Sequence, residues 1–407
     1  MKRSEQRILT THVGSLVRPP EIIEAIQASE RDQPYDEQAY DRDLKAAVAE
    51  VVRLQAQAGV DIVSDGEFGK RGWSQYVAER LGGLEPEVRP EQDRSPSRGP
   101  DEGKFSDFWN RYRRLETVAW LPQPAFSRAL DARELDGQTR QVGWVCNGPV
   151  TYKGHAAIAR DIVNFKAALD GVTVEEAFMP VVAPCSVEAT RTNRYYASDE
   201  EYVYAVADAL KEEYNAIVDA GLLLQIDDAW LPMSYSRLLA AGRESEYPKW
   251  AGVRVDALNT ALKGISPEKV RYHICWGSQN APHTDDAPLR EVLPLVLAVN
   301  ASAYLIESAN ARHEHEWKVW EDVKLPEGKT LIPGVVTHST NLVEHPELVQ
   351  WRISNFARLV GRENVIAGTD CGFSQNWNLI RVHPTIQWAK LEALEEGAAL
   401  ASKELWS

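Results

Sequence analysis

The sequence predicts an α/β domain in which eight strands and the helices between them close into a (β/α)8 barrel. Short apolar runs rich in β-branched residues recur along the chain, as in buried parallel strands. Most are separated by long stretches in which apolar residues repeat every three or four positions, as in amphipathic helices. The length of 407 residues accommodates one such barrel with additions.

The eight predicted strands are short and follow one another in order. They are I-L-T-T-H-V (8–13), V-D-I-V-S-D (60–65), M-P-V-V-A-P (179–184), L-L-L-Q-I-D (222–227), V-R-Y-H-I-C (270–275), A-Y-L-I-E (303–307), T-L-I-P-G-V-V (330–336) and N-V-I-A-G-T-D (364–370). Predicted helices between and after them include residues 39–58, 199–220, 287–299, 344–360 and 380–401. Several strands end in a polar or ionisable residue, and barrel enzymes carry their catalytic groups at these strand ends.

Two segments are predicted to be additions to the barrel. Residues 84–106 are rich in proline and charge, which is typical of an inserted solvated loop, either a disordered surface segment or a flap over the site. Residues 141–153 are expected to form an extra strand or hairpin before the third barrel strand.

Composition restricts the class of partner. The formal charge of -15, with no long basic run, argues against nucleic acid or an acidic membrane surface. The N-terminus has no apolar run of the kind found in secretory signals, so a cytoplasmic location is expected. With only four cysteines, each thiol is expected to be a core residue, a metal ligand or a nucleophile. A small molecule is therefore the expected partner.

Four potential metal ligands stand at predicted strand ends. In R-Y-H-I-C-W, His273 and Cys275 are two apart on one strand and so project to the same face. Alone, this pair fits a buried core as well as a metal site. Glu307 closes the next strand and Cys371 follows the last one. A set of one imidazole, two thiols and one carboxylate at one end of a barrel suits tetrahedral Zn²⁺.

The motifs H-I-C, L-I-E-S and T-D-C-G-F, in this order, resemble the zinc motifs of the catalytic C-terminal barrel of cobalamin-independent methionine synthases. The runs G-P-V-T-Y-K-G, N-A-R-H-E-H-E-W and I-A-G-T-D-C-G-F resemble most the single-barrel branch that includes the epoxyalkane:coenzyme M transferases. The resemblance implies that His273, Cys275, Glu307 and Cys371 bind zinc. Such a site deprotonates a substrate thiol and leaves the sulfur nucleophilic for alkyl transfer.

The resemblance also implies substrate-binding residues at three strand ends. Glu67 and Asp227 match positions that hold the amino group of homocysteine, whose carboxylate would lie near Gly14 and Ser15. His12, in the same first loop, is expected to line the pocket.

Two alternatives remain open for the acids. The family has Asp-Glu where this chain has Asp227 and Asp228, and Glu67 or Asp228 could instead pair with Lys70 or Arg71.

The resemblance is weaker for the residue that transfers a proton and for the alkyl donor. His338 is the candidate acid–base residue, although a gapless match places Ser339 under the family histidine; the alternative is a surface loop histidine. The family's pterin-stacking tryptophan would fall near Thr190, where none stands, so folate is not favoured as donor. Cys185, in A-P-C-S, is expected in a loop near the pocket rather than as a fifth ligand.

The sequence therefore predicts a zinc-dependent enzyme that transfers an alkyl group, in the first instance methyl, to a thiol such as homocysteine. The expected partners are a small-molecule thiol and a methyl or alkyl donor, with a corrinoid protein as one candidate donor. Two alternatives are thiolate opening of an epoxide, as in the coenzyme M branch, and a zinc-free barrel related to uroporphyrinogen decarboxylases.

Overall fold

The computed structural model describes residues 1–30, 33–88, 99–109, 142–278, 280–377 and 379–407. Eight parallel strands form its central sheet. They are β1 (Leu9–Thr10), β2 (Ile62–Ser64), β3 (Glu176–Val182), β4 (Leu223–Asp227), β5 (Val270–Ile274), β6 (Ala303–Ile306), β7 (Thr330–Val336) and β8 (Ile366–Thr369).

The sheet closes on itself. Strands β2 to β8 pair in chain order, and β8 pairs with β1. A parallel bridge between Thr11 and Ile62 joins β1 to β2, and the Thr11 hydroxyl donates to the Ile62 carbonyl at 3.0 Å. The predicted (β/α)8 barrel is confirmed, with each of the eight strands inside or overlapping the expected range.

Helices surround the barrel and several begin at a clear capping residue. Asp36 accepts a hydrogen bond from the Ala39 amide at 3.0 Å, and Ser198 accepts one from the Glu201 amide at 3.1 Å. The α-helices are Pro20–Glu30, Glu37–Gln57, Val77–Arg80, Asp101–Lys104, His155–Leu169, Pro184–Glu188, Asp199–Asp219, Trp230–Ala240, Tyr247–Ala261, Leu289–Leu297, Val319–Asp322, Pro346–Val360 and Pro384–Leu405. None of the described helices is long and apolar enough to span a membrane.

The barrel interior is a core separate from the one between strands and helices. It is formed by inward-facing side chains of alternate strand positions, among them Leu9, Ile62, Phe178, Leu223, Leu305, Ile332 and Ile366. Cys275 and Cys371 belong to the same cluster. Both thiols therefore lie at the top of the barrel interior.

The additions to the barrel differ in part from expectation. The segment expected as a loop over residues 84–106 begins with a strand, Leu84–Val88, and includes the helix Asp101–Lys104. That strand pairs antiparallel with Val142–Cys146, which also pairs with Thr192–Asn193. Residues 84–88 are ordered because their backbone groups bond to the second strand. Residues 89–98 and 141 of the two expected segments lie outside the described residues.

Candidate metal centre and active site

The four expected metal ligands come together at the carboxyl-terminal end of the barrel. His273 lies in β5 and Cys275 directly follows it, while Glu307 directly follows β6 and Cys371 lies two residues beyond β8. All four side chains are buried. Adjacent parallel strands end at the same edge, which is why residues far apart in sequence meet here.

Cys371 is shared by two groups of potential ligands. Its sulfur and ligand atoms of His273 and Cys275 lie within 4.8 Å of one another. The same holds for Cys371, Glu307 and His338. His338, the candidate acid–base residue, is thus beside the candidate ligands. These residues form a candidate metal centre.

Several polar atoms of this cluster have no hydrogen-bond partner among the described residues. They are both ring nitrogens of His273, both ring nitrogens of His338 and Oε1 of Glu307. Buried polar atoms are rarely left unpaired, since each costs about 1 to 3 kcal/mol. A metal ion would satisfy one ring nitrogen of His273 and Oε1 of Glu307, and two thiols, an imidazole and a carboxylate are a donor set that suits zinc. The residues present therefore fit the ion.

The two thiols act as a unit. Their mutual hydrogen bond lowers the pKa of Cys371 well below its usual range and raises that of Cys275. Burial opposes the change at Cys371, while the nearby imidazoles of His338 and His273 support it. Ser278 Oγ also donates to Cys371 Sγ at 3.5 Å. Cys371 is therefore poised as a thiolate, the form that binds metal.

A second layer of contacts holds Glu307. Asn310 Nδ2 donates to Glu307 Oε2 at 3.2 Å and to Asp370 Oδ2 at 3.3 Å. Asp370 Oδ1 in turn accepts the backbone amides of Ser308 and Ala309, each at 2.8 Å. Asp370 precedes Cys371, so the loop that supplies the candidate ligand Cys371 also holds the loop that follows Glu307. The sequence offered no signal for Asn310 beyond its place three residues after Glu307.

A cavity of about 500 Å³ opens at the candidate metal centre. Its lining includes His273, Cys275, Cys371 and three expected substrate residues, Ser15, Glu67 and Asp227. Trp73, Trp144, Trp230, Thr190 and Arg191 also line it. The three tryptophans were not predicted, because all of them lie outside the eight barrel strands and no motif marks them.

Glu67 and Asp227 are buried carboxyl groups facing this cavity. Burial raises the pKa of Glu67 to about 7, and Oε2 of Glu67 has no partner among the described residues. Burial, with the charge of Glu67 added, raises the pKa of Asp227 well above its usual range. Glu67 also has a φ of 60°, a left-handed conformation that costs a non-glycine residue about 1 kcal/mol or more. The charges of Lys70 and Arg18 oppose the rise in pKa at Glu67, and a hydrogen bond from Gln225 Nε2 at 2.8 Å opposes the rise at Asp227. The protein therefore compensates these two buried acids only in part.

Lys70 and Arg71, the alternative partners expected for Glu67 or Asp228, form a hydrogen bond and an ion pair with other groups. The Lys70 amine donates to the Pro180 carbonyl, and Arg71 forms an ion pair with Glu79. Asp228 accepts hydrogen bonds from Ser186 at 2.8 Å and from Tyr272 at 3.0 Å.

His12 and Gly14 are placed differently from Ser15. His12 Nε2 bonds to Gln55 Oε1 at 2.7 Å, and its Nδ1 accepts from the Gly14 amide at 3.1 Å. Neither residue is among the described residues that line the cavity, whereas Val13 and Ser15 are. Alternate residues of this segment face the cavity, so the structure does not bring His12 to it. Gly14 has a φ of 132°, and a Cβ there would lie 2.7 Å from Pro180 Cγ.

His338 is buried and not a surface loop residue. Burial lowers its pKa to about 4, so its imidazole is neutral at pH 7. It lines a second cavity of about 630 Å³ together with Glu307, and this cavity shares Gly277 and Ser278 with the first. Cys185 is buried and outside the described lining of both cavities.

Comparison with protein families identifies the family of this barrel. The model of the cobalamin-independent synthase catalytic domain matches residues 8–92 and 146–386, which is most of the chain. The chain belongs to this family. The matched ranges include the four candidate metal ligands and the acids Glu67 and Asp227.

Relatives span both activities suggested by the motifs. A 2-hydroxypropyl-CoM lyase of Xanthobacter autotrophicus is 22% identical over 403 residues, covering 92% of this chain and 89% of the relative. A methionine synthase of Thermococcus kodakarensis is 21% identical over 401 residues, covering 97% and 94%. A solved B12-independent methionine synthase of Shewanella sp. W3-18-1 superposes with a TM-score of 0.68 at 19% identity, covering 98% and 99%. That likeness supports the fold.

Proposed function

We propose that this protein is a zinc-dependent thiol S-alkyltransferase that transfers a methyl group to a thiol such as homocysteine. The single observation that carries the proposal is the shared cavity. One space of about 500 Å³ is lined both by the candidate ligands His273, Cys275 and Cys371 and by the buried acids Glu67 and Asp227. A thiol that bears an amino group can therefore reach both sets of residues at once.

The chemistry follows from the donor set. His273, Cys275, Glu307 and Cys371 would hold zinc, which when bound would deprotonate a substrate thiol and leave its sulfur electron-rich. Burial of all four side chains excludes water that would compete with the thiol.

The remaining residues bind and orient the substrates. Glu67 and Asp227 would hold an ammonium group, whose charge favours their ionised forms. His338, neutral at pH 7 and beside Glu307 and Cys371, is proposed as the residue that gives or takes the proton of the leaving group. Ser15 is proposed to contact the substrate carboxylate.

Opening of an epoxide by the thiolate is the second candidate function. It is favoured by the 2-hydroxypropyl-CoM lyase relative and by the absence of a tryptophan at Thr190, which lines the cavity. In that reaction the thiol carries a sulfonate and no amine, so Glu67 and Asp227 would not bind it through charge.

Metal analysis of the purified protein tests the proposal. We expect about one zinc per chain, with Cys371→Ser losing it, because each thiolate contributes a large part of zinc affinity. Cys146→Ser is the matched control, since Cys146 is also buried but bonds to the Gly148 carbonyl away from the site. Full zinc occupancy in a Cys275→Ser, Cys371→Ser double variant would contradict the proposal.

Product analysis separates the two candidate reactions. Zinc-loaded protein is incubated with homocysteine and methyl donors, and separately with 2-mercaptoethanesulfonate and epoxypropane. S-methylated product from the first mixture supports the methyl transfer, and a 2-hydroxypropyl thioether from the second supports the alternative.

A further inference from the structure

Arg191 is a buried arginine that lines the cavity of the candidate active site. It follows the helix Pro184–Glu188 at the end of β3 and is 8% exposed. The cavity reaches it on the side that also includes Ser74, Trp144 and Thr190. It was not singled out from the sequence.

The hydrogen bonds of Arg191 are all to neutral groups. Its Nη1 donates to the Val187 carbonyl at 3.2 Å and to Thr190 Oγ1 at 2.7 Å, and its Nη2 donates to the Ser74 carbonyl at 2.8 Å. Its Nε has no partner, and no carboxylate of the described chain forms an ion pair with it. The guanidinium is held in place, but its charge is not neutralised.

Other buried arginines of this chain have acids near them. Arg254 pairs with Glu188 at 2.8 Å, and Arg80 pairs with Glu213 at 2.6 Å. Burial lowers the pKa of Arg18 and Arg271, and nearby carboxylates oppose the change.

No carboxylate offsets the effect of burial on the pKa of Arg191. Burial lowers its pKa to about 10, and only the phenols of Tyr202 and Tyr76 oppose this. The side chain stays charged at neutral pH, so a buried positive charge faces the cavity without a counter-ion. Such a charge is costly unless a ligand supplies one.

We propose that Arg191 binds a carboxylate or sulfonate group of a substrate in this cavity. The inference rests on the proposed function and specifies the substrate class. Arg191 and Arg381 are the two arginines in the described lining of the cavity, and Arg191 is the buried one without an ion pair to a described carboxylate, so we assign the anionic group to Arg191. The planar guanidinium matches the oxygens of either group. The anion belongs either to the thiol or to the alkyl donor.

Binding of small anions without a thiol tests this assignment independently of zinc. Metal-free protein is titrated with propanesulfonate, butyrate and the neutral analogue propanol, and binding is followed by the fluorescence of the tryptophans that line the cavity. We expect saturable binding of both anions and weaker binding of propanol. Arg191→Met should weaken anion binding about thirtyfold or more and leave propanol unchanged. Arg191→Lys keeps the positive charge but not the planar guanidinium, so it should retain part of the affinity for the anions.

Arg194→Met is the matched control, because Arg194 lies three residues away but is exposed and paired with Glu87 at 2.7 Å. Equal affinity of the wild type for propanesulfonate and propanol overturns the proposal even if Arg191→Met fails to fold. Equal anion affinity in the wild type and a folded Arg191→Met overturns it as well. Neither result depends on zinc, so failure here is distinct from failure of the proposed function.

A thiol series in zinc-loaded protein then identifies the source of the anion. If Arg191→Met weakens binding of 2-mercaptoethanesulfonate or homocysteine but not of 2-mercaptoethanol, the thiol carries it. If all three thiols bind as in the wild type while propanesulfonate binding is lost, the anion belongs to the second substrate.

Discussion

Replacing the two buried acids of the cavity should separate an amino-acid thiol from an amine-free one. Glu67→Gln and Asp227→Asn each remove a charge and keep the shape of the side chain. If the substrate is homocysteine, its ammonium loses water on entering a cavity in which Glu67 is 1% and Asp227 is 6% exposed. Only ionised carboxylates there can offset that loss.

The size of the effect follows from burial. Leaving one partner of a desolvated charge pair unmatched costs about 2 to 5 kcal/mol, which raises the KM for homocysteine roughly 30-fold to several thousand-fold. Burial raises the pKa of both acids, to about 7 at Glu67, and a bound ammonium would favour the ionised form of each. Both Glu67→Gln and Asp227→Asn should therefore raise the KM for homocysteine.

Steady-state kinetics at full zinc occupancy gives the KM of each variant for homocysteine and for 2-mercaptoethanesulfonate. The sulfonate thiol should bind as well or better in both variants, since a negative charge has been removed from its site. Asp228→Asn is the matched control, because Asp228 is equally buried but bonds to Ser186 and Tyr272. If every thiol tolerates both substitutions equally, these acids do not contact the substrate and the reasoning fails.

Three further predictions concern metal affinity and stability. Asn310→Ala should weaken zinc affinity about 10- to 100-fold in a chelator competition, because Glu307 loses the amide that orients it; affinity equal to the wild type would contradict this. Arg80→Met should lower the free energy of unfolding by about 3 to 5 kcal/mol in urea titrations, since it strands buried acids, whereas the exposed Arg53→Met should change it by less than about 1. Burial opposes protonation of His313, but hydrogen bonds to two acids raise its pKa to about 9. The stability contributed by this raised pKa is complete below pH 6.5 and is lost as pH rises through 9. His313→Gln should therefore lower the free energy of unfolding at pH 6 and have little effect at pH 10, as urea titrations at both pH values would show.

The candidate metal ligands could be located from sequence because strand ends fix their positions. Once eight parallel strands close a barrel, His273, Cys275, Glu307 and Cys371 have to meet at one edge, whatever the loops do. Residues on the far side of the cavity carry no such constraint. Trp144 lies on an added strand and Arg191 in a loop, and only the packed structure shows that they face the same space.

The sequence also does not predict which side chains of an irregular segment face the cavity. The motif T-T-H-V-G-S was expected to present His12, Gly14 and Ser15 to the substrate. In the structure Val13 and Ser15 face the cavity while His12 bonds to Gln55. A shift of one position exchanges the two sides of an extended chain, and a motif alone does not state which side faces inward.

His338 follows β7, whose pairing with β8 is irregular. Between β7 and β8 the register moves: Gly334 pairs with Gly368 but Val336 pairs with Thr369, so β7 contains one extra residue. Such a bulge turns the side chains that follow it to a new direction. The imidazole of His338 lies beside Glu307 and Cys371, which the spacing of residues in the sequence does not show, and this position supports its proposed role in exchanging a proton with a reacting group.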